Sequence, residues 1–517
     1  MLFNSYAFIF GFLPILLIGY SIAGLFHRKA VVIWLGLASL AFYAYWHPAF
    51  LLILGGSILG NFLFGRLISR AAANTTVAKV LLWLAIVANL SLLGWFKYLF
   101  PFLGFIDGVF HTGQHPGSVL LPLGISFFTF TQIAYLVDLQ QRVASDQDFS
   151  SYLLFVTFFP HLIAGPILHH KDIMPQFQED RTYRLDFDDL AVGFSWFVMG
   201  LFKKVVLADR FAPTADMVFA AHGATTSGTA WIGVLSYALQ LYFDFSGYCD
   251  MACGLARMLS IDFPLNFSSP YKAFSIIDFW QRWHMTLTQY IGAYLYSPIQ
   301  FMIVARRRRL GKKVTRRAQA TPEGFFHMVA VPTIFTMFIV GIWHGAGRQF
   351  LIFGLLHGIY LTVAHGWRLL RPEHISKASP TYRDRLVHGV SVLLTFLCVV
   401  QAQIFFRAPS TRDAVLLLQR MTHLYLRISA PTVAIEQLRS PLMLLTLGFI
   451  IVWCFPNSQQ ILARYKPALR LAPADGDPRL LPIYWAPSVA WGMLLGSAFT
   501  LALIRLQNPS TFLYFQF

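Results

Sequence analysis

The stretch best equipped for chemistry is Gly341-Ile342-Trp343-His344-Gly345-Ala346-Gly347, an imidazole among three glycines inside a run, 325–347, that contains no Asp, Glu, Lys or Arg. An ionisable side chain deep in such a run costs roughly 2.5–3.5 kcal/mol on membrane-insertion scales, so it calls for a partner, a watery cavity or a job. Glycine lets backbone or ligand come close to the ring, and imidazole is the side chain that exchanges protons near neutral pH. Together these features favour a functional histidine over a buried structural one. His357 and His365 follow along the chain. Continuous helix would put His357 about 20 Å from His344 on nearly the opposite face, so both read as structural.

Two further constellations stand out. In Asp278-Phe279-Trp280-Gln281-Arg282-Trp283-His284, Trp280 and His284 share one helical face at i, i+4, and Asp278 and Arg282 share another. Aromatic and cationic residues packed this densely suit an interface or a binding cavity, or else an aromatic belt with a snorkelling arginine. In the segment 240–250, Gln240, Asp244 and Tyr248 fall at i, i+4, i+8 and form a polar stripe. Such a stripe on a membrane helix faces protein or water, as a structural hydrogen-bond network or as part of a substrate site. Asn266, Lys272 and Arg257 follow in a polar loop that could close this network.

The elements that must position these residues are membrane helices. Of 517 residues, 56% are hydrophobic and only 12% charged, with a mean hydropathy of +0.58; a soluble domain carries roughly 25% charged residues. The composition excludes a disordered chain and a disulfide scaffold. Residues 1–26 hold no Asp, Glu, Lys or Arg, more than the roughly 20 needed to cross a bilayer. The first positives, Arg28 and Lys29, come after this run, so it reads as a retained helix, not a cleaved signal. Uncharged runs recur at 30–46, 48–65, 80–96, 117–137, 225–243, 325–347, 349–367, 389–406, 440–463 and 484–504, with weaker ones near 190–207 and 284–305. The expectation is an all-α polytopic membrane protein, one embedded domain over 1–517, with about 11–13 transmembrane helices, some of them re-entrant or buried.

The net charge of +17 would suit nucleic acid or a membrane, and its distribution favours the membrane. Positives collect at Arg28 and Lys29, Arg66 and Arg70, Arg142, and above all within 306–317. Placed in the cytoplasm, they put the N-terminus outside, with Lys97, Lys203 and Lys204 at awkward depths for a simple zigzag. The 306–317 cluster reads as an anchor on anionic lipid or as a contact for the phosphates of an acyl-carrying cofactor. No aromatic-interleaved soluble module surrounds it, which argues against nucleic acid. Within the polar stretch 140–189, the apolar segment 158–168, broken by Pro and Gly, is expected to dip without crossing; 407–439 and 464–482 read as surface loops. The four cysteines, Cys249, Cys253, Cys398 and Cys454, read as small buried hydrophobes. No repeat of 20–50 residues is visible, and no zinc-type spacing.

Taken in order, 121–130 (LPLGISFFTF), 159–167 (FPHLIAGPI), the stretch from Gln240 to Asp250, Phe279 to His284, and Gly341 to Gly345 with Gly354-Leu355-Leu356-His357-Gly358 resemble the membrane-bound O-acyltransferase superfamily. The likeness is to the bacterial branch typified by the alginate O-acetyltransferase membrane subunit, to which the ending Tyr514-Phe515-Gln516-Phe517 is also similar. The resemblance implies helices around a central tunnel, His344 as the catalytic residue and His284 as a second required histidine. With the constellations above, the candidate substrate site is drawn from Trp343, Arg282, Trp280, Asp244, Gln240 and Asn266. The chemistry would be acyl transfer, with an imidazole removing the acceptor hydroxyl's proton. Trp343 N–H, Arg282 or the second histidine would meet the charge developing on the carbonyl oxygen. No metal or bound prosthetic group is implied; acetyl-CoA or a related acyl thioester is the substrate, on the cytoplasmic side of a bacterial inner membrane. A periplasmic esterase-like acetyltransferase and polysaccharide assembly machinery are the implied partners. The chain departs from the family pattern in having Gly292-Ala293 where relatives carry an Arg-Asp pair, and Gln281 where they carry Arg.

Three readings therefore stand open: transfer of acetyl to an extracytoplasmic polysaccharide, transfer of D-alanyl or a longer acyl group, and, from another class, a transporter whose intramembrane His and Asp line a solute path.

Overall fold

The computed structural model describes residues 1–72, 75–110, 117, 120–145, 148–370, 381–422, 435–469, 483–506 and 512–513, the side chains of 435–438 excepted. Among the described residues every regular element is a helix, with one isolated backbone bridge, between Phe267 and Trp283. Seven helices among the described residues are long and apolar enough to cross a membrane: Ala7–Phe26, Phe50–Arg70, Thr76–Lys97, Phe187–Ala220, Pro322–His344, Arg348–Leu370 and Tyr382–Arg407. Three shorter apolar helices accompany them, Leu99–Phe110, Arg439–Cys454 and Val489–Arg505. Large apolar side chains such as Leu52, Trp83, Leu394 and Leu494 stand exposed on their outer faces, a surface that suits lipid and would aggregate in water. The chain is an integral, multi-pass membrane protein.

At the centre lies the helix Ser227–Met258, whose side chains are almost all buried in protein. It carries Asp244 and Asp250 at this depth because each meets a lysine. Lys203 and Lys204, in a π-helical turn that aims two successive side chains inward, sit 2.6 Å from Asp250 and 2.6 Å from Asp244 respectively. Lys203 and Lys204, at awkward depth for a simple zigzag, are thus ion-pair partners of acids on the central helix, and Lys204 is the partner of the polar stripe's Asp244. The preceding helix, Phe187–Phe202, crosses the central helix on a seam of glycines. A Cβ on Gly193 would lie 2.6 Å from the Gly254 carbonyl, and one on Gly200 2.6 Å from the Gly247 carbonyl. Small residues let two helices share backbone-to-backbone contact, the packing available where lipid supplies no hydrophobic drive.

The segment 158–170 is buried along its length and made of short helical and irregular pieces, which bilayer physics allows only where protein surrounds them. Of the expected surface loops, 407–439 contains the amphipathic helix Thr411–Met421; its residues 423–434, residues 470–482 of the other loop, and the tail 514–517 lie outside the described residues.

The helix Val331–His344, here the histidine helix, ends on the imidazole itself. Gly345 is extended, and the chain reverses into the helix Arg348–Leu370, the return helix. The two pack tightly, because a Cβ on Gly354 would lie 2.3 Å from the Met337 carbonyl and one on Gly341 2.4 Å from the Phe350 carbonyl. This reversal corrects the expectation of a continuous helix that carries His357 away from His344.

Candidate active site

Two backbone devices bring the two histidines together. Residues 266–268 run beside 282–285, with Ser268 N–H donating to the Arg282 carbonyl and Met285 N–H to the Asn266 carbonyl, at 2.9 and 3.0 Å. His284 takes a left-handed conformation there (φ 44°), a costly choice for a residue with a Cβ and one that recurs where a site fixes its own geometry. The Asn266 side-chain oxygen Oδ1 accepts from Thr286 N–H at 3.2 Å and from the Thr286 hydroxyl at 2.9 Å, and lies 3.1 Å from His284 Nδ1. An oxygen there accepts, so Nδ1 carries the proton and Nε2, turned away from Asn266, is the ring's acceptor.

His344 is held by shape. Its ring packs edge-on against Trp343, Phe353 and Phe406, at centroid distances of 4.7, 5.7 and 5.0 Å. Gly345 is required in this wall, since a Cβ there would meet the Phe350 ring at 2.3 Å.

His344 lines two cavities. The first, about 30 Å³, is shared with His284, Trp280, His357, Phe353 and Phe406. The second, about 190 Å³, lies on the Trp343 side and is walled by Lys97, Trp46 and the segment 120–127. A third cavity of about 230 Å³ lies behind Trp280, lined by Gln281, Gly292, Tyr296, Thr333 and Thr336 among others. Trp280 is therefore a partition between the histidine cavity and the region that holds both departures from the family pattern.

The site residues expected from sequence divide accordingly. His344, His284, Trp280 and Trp343 line the first two cavities. Asn266 stands behind His284 as its orienting partner. Arg282 is directed elsewhere: it donates to Asp278 at 2.7 Å and to the Ser268 carbonyl at 3.4 Å, and lines neither cavity around His344. Asp244 is engaged with Lys204 and accepts from Leu513 N–H at 3.0 Å. Gln240 is buried away from both cavities. Arg257 pairs with Asp189 and Asp262, and Lys272 donates to the Phe455 carbonyl at 3.1 Å, so neither closes the stripe onto the site.

Sequence reasoning missed His357, whose Nδ1 lies 3.2 Å from Trp280 Nε1 and which faces the same cavity as His344. The three glycines at 341, 345 and 347 were the available signal for the chain reversal. It also left Lys97 without a place, although a cation ending an apolar run was visible. Among the described residues no cluster of three or more His, Cys, Asp or Glu could hold a metal ion.

Comparison with known proteins gives the family. The model of the MBOAT, membrane-bound O-acyltransferase family, matches residues 118–311. The chain is 38% identical to the peptidoglycan O-acetyltransferase of Helicobacter pylori, over 82% of this chain and 80% of that one. It is 36% identical to the probable alginate O-acetylase AlgI of Pseudomonas aeruginosa, over 80% and 73%. It is 25% identical to the teichoic acid D-alanyltransferase of Bacillus subtilis, over 58% and 71%. With two buried histidines meeting in one cavity of a polytopic helical body, and likeness of this extent to O-acetyltransferases, the chain is an enzyme that belongs to the membrane-bound O-acyltransferase family.

Proposed function

We propose that this enzyme moves acetyl from a cytoplasmic acyl thioester, acetyl-CoA, to the hydroxyl of a polysaccharide outside the bacterial inner membrane, directly or through a periplasmic esterase-like partner. The observation that carries the reading is that His344 lines two cavities at once, so two reactants can approach one imidazole from different sides. The second cavity sits where the helices Arg28–Ala44 and Thr76–Lys97 end and Ile125–Gln140 begins. Arg142, just past the opposite end of Ile125–Gln140, donates to the Ser69 and Ala71 carbonyls at the end of the helix Phe50–Arg70. With these positives in the cytoplasm, the second cavity faces outward and suits the acceptor. The cavity behind Trp280 adjoins the turn Gly292–Tyr296, which continues into the helix Ser297–Arg309 and the basic cluster 306–317. Phosphates of the donor would rest on those cations and its thioester arm would run inward.

In the transfer step His344 removes the acceptor hydroxyl's proton as oxygen attacks the thioester carbonyl; the carbon–oxygen bond forms, the carbon–sulfur bond breaks, and the proton leaves with the thiol. His284 Nε2, an acceptor in this tautomer, hydrogen-bonds and orients the reacting hydroxyl or thiol. Arg282, committed to Asp278, falls away as a donor to the carbonyl oxygen, and His284, whose one N–H is spent on Asn266, falls away with it, which leaves Trp343 N–H. The 30 Å³ cavity supports acetyl over longer chains, since by this measure a single water needs roughly 10–15 Å³.

The test is transfer of radiolabel from acetyl-CoA, added on the cytoplasmic side of vesicles, into polysaccharide or a periplasmic partner, by wild type and His344→Ala. Label that moves equally in both overturns the assignment of His344. Incorporation of D-alanine but not acetyl, from the matching thioesters, overturns the donor in favour of the activity named for the more distant relatives.

A further inference from the structure

The histidine helix stops at His344, so the carbonyls of its last turn lack the i+4 N–H groups that a continuing helix would offer. The residues that supply donors lie far away in sequence, at the end of the helix Thr76–Lys97. Lys97 Nζ donates to the Trp343 carbonyl, and the Tyr98 hydroxyl donates to the Ile342 carbonyl at 2.9 Å. The same ammonium lies 5.7 Å from the centroid of the Trp343 ring, within cation–π range. Lys97 thus grips both the backbone and the side chain of the residue next to His344, and it lines the same outer cavity as His344.

A helix end concentrates partial negative charge from its carbonyls, and a cation there is favoured. An apolar side chain would fill the Lys97 site without the cost of half-burying an ammonium, so the charge answers a local need. Nothing in the Gly345–Gly347 turn can replace it, because the only described backbone donor from that turn to these two carbonyls is Gly345 N–H, at 3.1 Å from the Ile342 carbonyl.

We infer that Lys97, with Tyr98, is a positioning pair: it caps the C-terminus of the histidine helix from a neighbouring helix and so sets the depth and angle at which His344 meets the two cavities. The inference rests on the reading of His344 as the proton acceptor in acyl transfer. The imidazole is the last residue of its helix, so fraying of a single turn would displace it by about the distance that costs 10²-fold in rate.

The experiment compares full-length wild type with Lys97→Met, Lys97→Arg and Tyr98→Phe. In acetyl transfer, Lys97→Met is expected to lose about 10²-fold in kcat with KM for donor and acceptor near the wild-type values. Lys97→Arg should recover much of the loss, and Tyr98→Phe should lose less in the same direction. A second readout needs no substrate: the rate at which diethyl pyrocarbonate modifies His344, followed by peptide mass spectrometry with an exposed histidine as reference. That rate should change several-fold in Lys97→Met and revert in Lys97→Arg. Unchanged kcat together with an unchanged labelling rate overturns the inference, as does a rise in KM at constant kcat, which would make Lys97 a binding group. If wild type transfers no acetyl, the functional reading fails and the labelling rate alone decides the positioning role. If Lys97→Met does not fold, Lys97→Arg and Tyr98→Phe carry the same two measurements.

Discussion

His284 and His344 face one cavity but are held there by opposite means. His284 is fixed by hydrogen bonds: a side-chain amide sets its tautomer, a two-residue backbone pairing sets its strand, and a left-handed φ sets its direction. His344 is fixed by packing, with aromatic edges around the ring and glycines that let a return helix come within touching distance. Polar networks are specific, and each member matters because removal leaves a buried group unpaired. Packed walls are tolerant of small change but set the volume available beside the ring. The difference teaches that one histidine's protonation geometry is fixed by its partner, while the other's neighbourhood fixes the volume left beside its ring.

The comparison breaks most completely at the rings themselves. His344→Ala should lower acyl transfer by about 10³-fold, read as initial rates with saturating thioester, and it should also lower the thermal midpoint, because removing a buried ring leaves a cavity among its aromatic neighbours. A residual rate near wild type would move the proton-accepting role to His284. Asn266→Ala should follow with a loss of about 10²-fold in kcat from loosened tautomer and orientation. It should also destabilise the protein by about 1–3 kcal/mol, because Thr286 loses two hydrogen bonds in a buried place. On the packed side the order of effects is reversed. Gly354→Ala pushes a methyl group against the Met337 carbonyl and should cost about 1–3 kcal/mol in stability, measured by thermal unfolding in detergent, with a smaller loss of kcat than Asn266→Ala.

The same contrast explains what the sequence disclosed. The intramembrane histidines and acids were conspicuous because a 12% charged chain leaves few to weigh, and His284, His344, Trp280 and Trp343 all reach the cavities. Helix class and lipid exposure followed from long uncharged runs. Asp244 was as conspicuous as the histidines, yet its partner is Lys204, forty residues earlier, and pairing at that separation leaves no periodic trace. The glycine seam of Gly193, Gly200, Gly247 and Gly254 was in view as spacing of seven within each helix, but which helices cross is a tertiary fact. His357 was misplaced for a local reason: extending a helix through Gly345-Ala346-Gly347 ignores that two glycines so close favour a break. Lys97 was noticed by its depth, and only the end of a distant helix gives that depth a use.

The smallest expected effect tests what the packed wall decides. Phe353 and Phe406 stand 5.0 Å apart by centroid, both against His344, and both line the 30 Å³ cavity. Replacing Phe353 by Ala removes a ring from that wall without touching a hydrogen bond. Discrimination in an apolar pocket changes by roughly tenfold to 200-fold per methylene-sized difference, so Phe353→Ala should raise propionyl transfer relative to acetyl transfer by about tenfold. The readout is the ratio of kcat/KM for the two thioesters with one acceptor, which cancels any general loss of folded enzyme. A hydrogen-bonded site would answer differently: Asn266→Ala should lower both thioesters together and leave the ratio unchanged. If instead Phe353→Ala leaves the ratio where it was while Asn266→Ala shifts it, the acyl group sits against His284 and the division of labour between the two walls is the reverse of the one argued from their packing.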